Sequence, residues 1–83
     1  MNERSPPRQK TEETRRFRVT DRFGNAFTIV EFTHYVDGAV LHRGGEQWIA
    51  RGREYRLANG KAVNANANGS FEEVISGAKY WRA

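Results

Sequence analysis

The chain has 83 residues, no cysteine and a formal net charge of +4. That length sets one domain at most, and without cysteine neither a disulfide framework nor a thiolate metal site can form. No run approaches the ~20 apolar residues of a membrane-spanning helix. The first residues lack the apolar core of a secretory signal, so the expectation is a cytoplasmic protein with no membrane contact.

Residues 1–15 carry two prolines, many charges and no large apolar residue after Met1. Such a composition cannot bury enough surface to order itself. It reads as a disordered basic tail, ahead of a single small β domain over residues 16–83. Residues 1–16 hold five basic and three acidic side chains, and residues 17–83 hold nine and seven. Half of the positive excess therefore lies in or beside the tail.

From Arg16 the pattern alternates, with Phe17 and Val19 on one face and Arg16, Arg18 and Thr20 on the other. This is the pattern of a half-exposed strand. Gly24-Asn25 turns the chain into a longer strand over residues 26–36. There Phe27 and Ile29 share one face while Val30 and Phe32 take the other. A bulge near residues 29–31 is favoured over a strand covered on both faces, because a domain this small commands little core. Under the second reading, the extra apolar face is a candidate dimer interface.

Asp37-Gly38 opens a loop that holds Val40-Leu41 and breaks at Gly44-Gly45, and residues 46–51 read as a helical turn or an irregular strand. Tyr55, Leu57 and Val63 point inward across a hairpin at Asn59-Gly60, with Arg56 and Lys61 outside. Asn and Gly tolerate positive φ, as two-residue hairpin turns require. Asn68-Gly69 marks the next turn, residues 71–75 return as a strand, Ser76-Gly77 turns again, and residues 79–82 close the sheet. The fold class is all-β: an antiparallel meander of five or six short strands, curled into a sheet or open barrel.

Phe17-Arg18-Val19-Thr20-Asp21-Arg22-Phe23-Gly24-Asn25, with Thr28-Ile29-Val30-Glu31-Phe32-Thr33 after it, resembles the opening of a small group of uncharacterised bacterial proteins. Tyr55-Arg56-Leu57-Ala58-Asn59-Gly60-Lys61-Ala62-Val63-Asn64 is similar to their Tyr-x-x-x-(Asp/Asn)-Gly-x-x-Val-Asn hairpin. The resemblance covers most of residues 16–75 and implies the hairpins and a bacterial source. It implies no activity, cofactor or catalytic residue.

Candidates for chemistry are few. His34 and His42 with Glu31 or Asp37 offer the donor types of a zinc site, but Glu31 and His34 fall on opposite faces of a regular strand. Ser5, Ser70 and Ser76 lie in the tail or at turns, away from any nucleophile elbow. Glu72 and Glu73 are adjacent on a strand and point apart, so they cannot share a proton. Gly60-Lys61 lacks the spacing and hydroxyl of a phosphate loop. These absences point away from an enzyme and from a bound cofactor or metal.

Two binding classes remain. Open strand edges and apolar area suit a protein partner or a homodimer. The alternative is nucleic acid, with Arg51, Arg53, Arg56 and Lys61 tracking a backbone and Lys79, Tyr80, Trp81 and Arg82 adding aromatic and basic groups. Tyr80 and Trp81 point to opposite faces, so one of them is exposed. The protein-interaction module is the preferred expectation.

Overall fold

Three hairpins of this molecule turn by the same device, and it is not the two-residue turn. The computed structural model describes residues 8–37 and 48–83. At residues 57–61, Gly60 N–H donates to Leu57 O (2.8 Å) and Leu57 N–H donates to Lys61 O (2.8 Å). Gly60 has φ +93°, and among the described residues none other than glycine has positive φ. Asn59 therefore stays right-handed, and the loop is a three-residue type I turn closed by a left-handed glycine. The same pair of hydrogen bonds recurs at residues 21–25 and 66–70. Asn59 and Asn68 serve through their side chains, whose Oδ1 accepts from Lys61 N–H and from Ser70 N–H. No atom crowds the Cβ position of Gly60, so Gly60→Ala tests backbone conformation alone. It is expected to cost about 1–2 kcal/mol in urea unfolding, and an unchanged midpoint would refute the assignment.

The turns link six strands in an antiparallel meander: β1 (Gln9–Thr20), β2 (Ala26–Asp37), β3 (Trp48–Leu57), β4 (Ala62–Ala65), β5 (Phe71–Glu73) and β6 (Lys79–Arg82). The meander closes into a barrel, because β6 returns to β1 through Val19↔Arg82 and Thr20↔Trp81. Closure removes the edges that an open sheet would expose at this end. The interior holds Val19, Ile29, Leu57, Val63, Phe71 and Tyr80, with Phe17, Phe27, Tyr55 and Ala78 packed around them. Phe17, Tyr55 and Phe71 form a ring cluster with centroids 5.3–6.4 Å apart. The inward Tyr55, Leu57 and Val63 are as the alternation predicts.

The first strand begins earlier than expected. Residues 9–15, read as disordered tail, form the N-terminal half of β1; residues 1–7 lie outside the described residues. The ordering force is not local apolar content but the ladder to β2, which runs from Gln9↔Val36 to Thr20↔Ala26. Ion pairs Arg8–Asp37 (2.8 Å) and Arg15–Glu31 (3.2 Å) reinforce it. Beyond the barrel, β1, β2 and β3 thus continue as a three-strand extension, and the molecule measures 59 × 23 × 22 Å.

The bulges also fall elsewhere than expected. β2 runs regularly through residues 29–31, whereas β1 shifts register between Glu13 and Arg15, and β3 shifts where His34↔Gly52 gives way to Tyr35↔Ala50. Thr14 and Arg51 are the extra residues. β2 is the central strand of the extension, and Ile29, Val30, Glu31 and Thr33 are all buried on it. Val30, 4% exposed, lies directly opposite Arg16 and Arg56. Their guanidiniums reach Glu13 and Glu54, at 2.9 and 3.1 Å, so their aliphatic stems lie over Val30. The face offered as a dimer interface is thus covered at Val30 from within the chain, while Phe32 and Val36 on the same face are half-buried and Ile49 is exposed.

Candidate functional site

Residues sorted by cross-strand register share a face, and this sorting divides the predicted basic cluster. Arg53 lies opposite Thr33 on the face that continues the barrel interior, whereas Arg56 lies opposite Val30 on the outer face. Arg56 is held by Glu54 and donates to Gly60 O at 3.0 Å. Arg51 is the bulge residue, and Lys61 Nζ sits 4.0 Å from Glu73. Arg82 pairs with Val19 and places its guanidinium 4.3 Å over the Phe17 ring. Lys79 and Trp81 point outward from β6, while Tyr80 points into the core. The eight residues of the predicted surface therefore occupy at least three separate places. One of Tyr80 and Trp81 is exposed as expected, and it is Trp81.

Lys79, Tyr80 and Trp81 do meet something the alternation did not reveal. At the closed end of the barrel a groove of about 580 Å³ runs between the turn at residues 21–25 and the segment 76–81. Phe23 (74% exposed) and Trp81 (41%) border it. Ile75, expected within a strand over residues 71–75, is 92% exposed because β5 ends at Glu73 and Ile75 falls in the following turn. Phe23 is likewise a large apolar residue in solvent. The signal that flags it is its place in Asp-Arg-Phe-Gly, since a residue inside a tight turn has no strand to aim it at the core.

Both turns are held by their own hydrogen bonds. Asp21 Oδ1 accepts from Phe23 N–H (2.9 Å) and Asn25 N–H (2.8 Å), and Asp21 Oδ2 accepts from Asn25 Nδ2 (3.2 Å). Loss of water works against ionisation of Asp21, but these donors outweigh it and lower its pKa. Across the groove Ser76 Oγ donates to the buried Glu73 carboxylate at 2.6 Å, and Gly77 N–H donates to Glu73 O. Burial, then the charges of Glu73 and Asp21, push the Tyr80 hydroxyl up. Arg22 lies 4.7 Å over the Phe23 ring.

The opposite end of the barrel is closed by a polar cluster around Glu31, which is 5% exposed. Its carboxylate accepts from Thr14 Oγ1 (2.9 Å), Tyr55 Oη (3.1 Å) and Arg15 (3.2 Å), and Thr14 also bonds Thr33. Burial alone would raise the Glu31 pKa. The hydrogen bonds from Thr14 and Tyr55 and the charges of Arg15 and Arg53 outweigh it, and the pKa is lowered. Glu31 and His34 point to opposite faces, as expected. The two His34 nitrogens are engaged by Thr11 Oγ1 (2.7 Å) and Glu54 (2.9 Å). No group of three metal-ligating side chains occurs among the described residues, and His42 lies outside them.

No family model, curated protein or solved structure matches the chain. Its candidate surfaces are therefore read from chemistry alone. Glu72 and Glu73 point apart, with Glu73 buried opposite Val63 and Glu72 beside Lys79. No helix among the described residues is long and apolar enough to cross a membrane.

Proposed function

We propose that this protein is a non-catalytic interaction module whose barrel-end groove holds an apolar segment of a partner protein. The observation that carries this reading is the pair of exposed aromatics, Phe23 and Trp81, bordering one groove on a scaffold already fixed by hydrogen bonds. A few residues carry most of the binding energy of a typical interface, and tryptophan is enriched among them. Holding such residues in place beforehand spares the ordering cost of association. Arg22 and Lys79 line the same groove with Asp21 as the one carboxylate, which favours a partner segment carrying acidic residues beside its apolar anchor.

Selection of a random phage-displayed peptide library on the folded protein checks the reading. Enriched peptides are expected to share a large apolar residue with acidic neighbours. Their affinity is expected to drop at least about tenfold in Phe23→Ser and in Trp81→Ser, with the unfolding midpoint held. No enrichment, or peptides indifferent to both substitutions, would remove the proposal.

A further inference from the structure

The three-strand extension has two faces of different chemistry. On the outer face Arg16 and Arg56 are matched by Glu13 and Glu54, each bonded to its neighbour on the same strand. The face that continues the barrel interior carries Arg8, Lys10, Arg15, Arg53 and Arg82 against Glu12, Glu31 and Asp37. Five cations meet three carboxylates there; Asp37 pairs with Arg8, Glu12 with Lys10 at 3.0 Å and the buried Glu31 with Arg15, which leaves Arg53 and Arg82 as the excess. With Arg18 counted on the outer face, cations exceed carboxylates by two on the inner side and by one on the outer.

Aromatic rings interleave with those cations. Phe17 and Tyr55 stand where the extension meets the barrel, while Tyr35 and Trp48 stand near its far end, all on this face by register. Lys10 Nζ lies 4.3 Å over the Trp48 ring and 5.6 Å over Tyr35, with Arg8 5.5 Å from Trp48. Arg15 and Arg82 lie 5.3 and 4.3 Å over Phe17. At the far end, Trp48 and Tyr35 are surfaces on which planar bases stack once Lys10 and Arg8 swing from the ring faces to phosphates.

We infer that this face is a second binding site, separate from the barrel-end groove, and that its ligand is single-stranded nucleic acid. Acidic peptide would satisfy the cations but gives Tyr35 and Trp48 at the far end nothing to stack with. A strand of bases engages both sets, with its phosphates on Lys10, Arg15 and Arg53. The outer face, where among the described residues no cation lies over a ring, takes no part. The inference relocates nucleic-acid binding from the hairpin of residues 51–61, whose cations the fold separates, to residues 8–15 with Arg53, Arg82 and Trp48.

Fluorescence anisotropy with a labelled 12-mer of deoxythymidine, and with its uridine counterpart, tests it on the full chain. With three or four phosphates neutralised, affinity is expected to fall about 20- to 50-fold between 50 and 200 mM salt. Trp48→Ala is expected to weaken binding at least about fivefold through lost base stacking, and Arg53→Gln to weaken it and flatten the salt slope. Arg56→Gln, on the outer face, is expected to leave binding within about twofold. Circular dichroism melting confirms that each variant is folded, and Arg53→Gln, at an exposed position, keeps the test decisive if Trp48→Ala is not. Absence of binding at 50 mM salt would overturn the inference. Equal affinity for polyglutamate or for anionic phosphatidylserine vesicles would also overturn it, as would a full response to Arg56→Gln. Phage-selected peptides that still bind the barrel-end groove under any of these outcomes keep the two sites distinguishable.

Discussion

Phe71→Ala is expected to lower the unfolding free energy by about 3–5 kcal/mol. Phe71 is buried at the centre of the ring cluster, 5.3 Å from both Phe17 and Tyr55. It stands on β5, which has only three residues, so side-chain packing rather than a long ladder holds that strand in the barrel. Truncation leaves a cavity lined by two aromatics that cannot collapse into it without leaving their own partners. A domain of this size commands on the order of 4–12 kcal/mol in total, so the variant should lose about a quarter or more of it. Urea titration followed by circular dichroism measures it. Ile75→Ala, at an exposed turn position, should change stability by no more than about 0.5 kcal/mol. A loss below about 1 kcal/mol in Phe71→Ala would mean that the cluster does not close the barrel.

Glu31→Gln is the second large expectation, and its signature is in the pH dependence. The substitution keeps the shape but turns an acceptor into a donor facing Thr14, Tyr55 and Arg15, which all donate to the carboxylate. At neutral pH this should cost about 1–3 kcal/mol. The sign with pH follows from the lowered pKa of Glu31. In the window between its folded value and the ordinary value of about 4.3, the unfolded chain binds more protons than the folded one. The contribution is thus fully present above that ordinary value and is lost as pH falls through the folded pKa. The gap between wild type and variant should narrow across that range. Glu13, lowered by its hydrogen bonds from Arg16, and Asp21 also contribute to the acid limb, so the variant keeps a shallower limb of its own. Parallel stability curves down to the acid limit would show that Glu31 is not the group responsible.

The hairpins were legible because turn chemistry is local. Gly24, Gly60 and Gly69 each take the left-handed conformation that closes the loop, and Asp21, Asn59 and Asn68 each cap it through a side-chain oxygen. The inward set of Tyr55, Leu57 and Val63 was legible for the same reason, since both strands are regular on either side of one short turn. The candidate surfaces were not. Phe23 and Ile75 look like core residues in a composition count, and only the turns that carry them put them in solvent. Residues 9–15 look like tail because their order comes from partners sixteen or more positions away, Glu31 for Arg15 and His34 for Thr11.

By itself, then, the sequence determined an all-β meander and the places where it turns, since both depend on residues next to one another in the chain. Only the tertiary structure decided closure, the extension and the face each charge occupies. The physical reason is the parity of a strand. Glu13 and Arg15 are two apart and would share a face on a regular strand, yet the bulge at Thr14 sends Glu13 to Arg16 on the outer face and Arg15 to Glu31 on the inner one. The bulge at Arg51 does the same to Ala50 and Gly52. One extra residue reverses every assignment beyond it, and the pairing that places it lies on another strand.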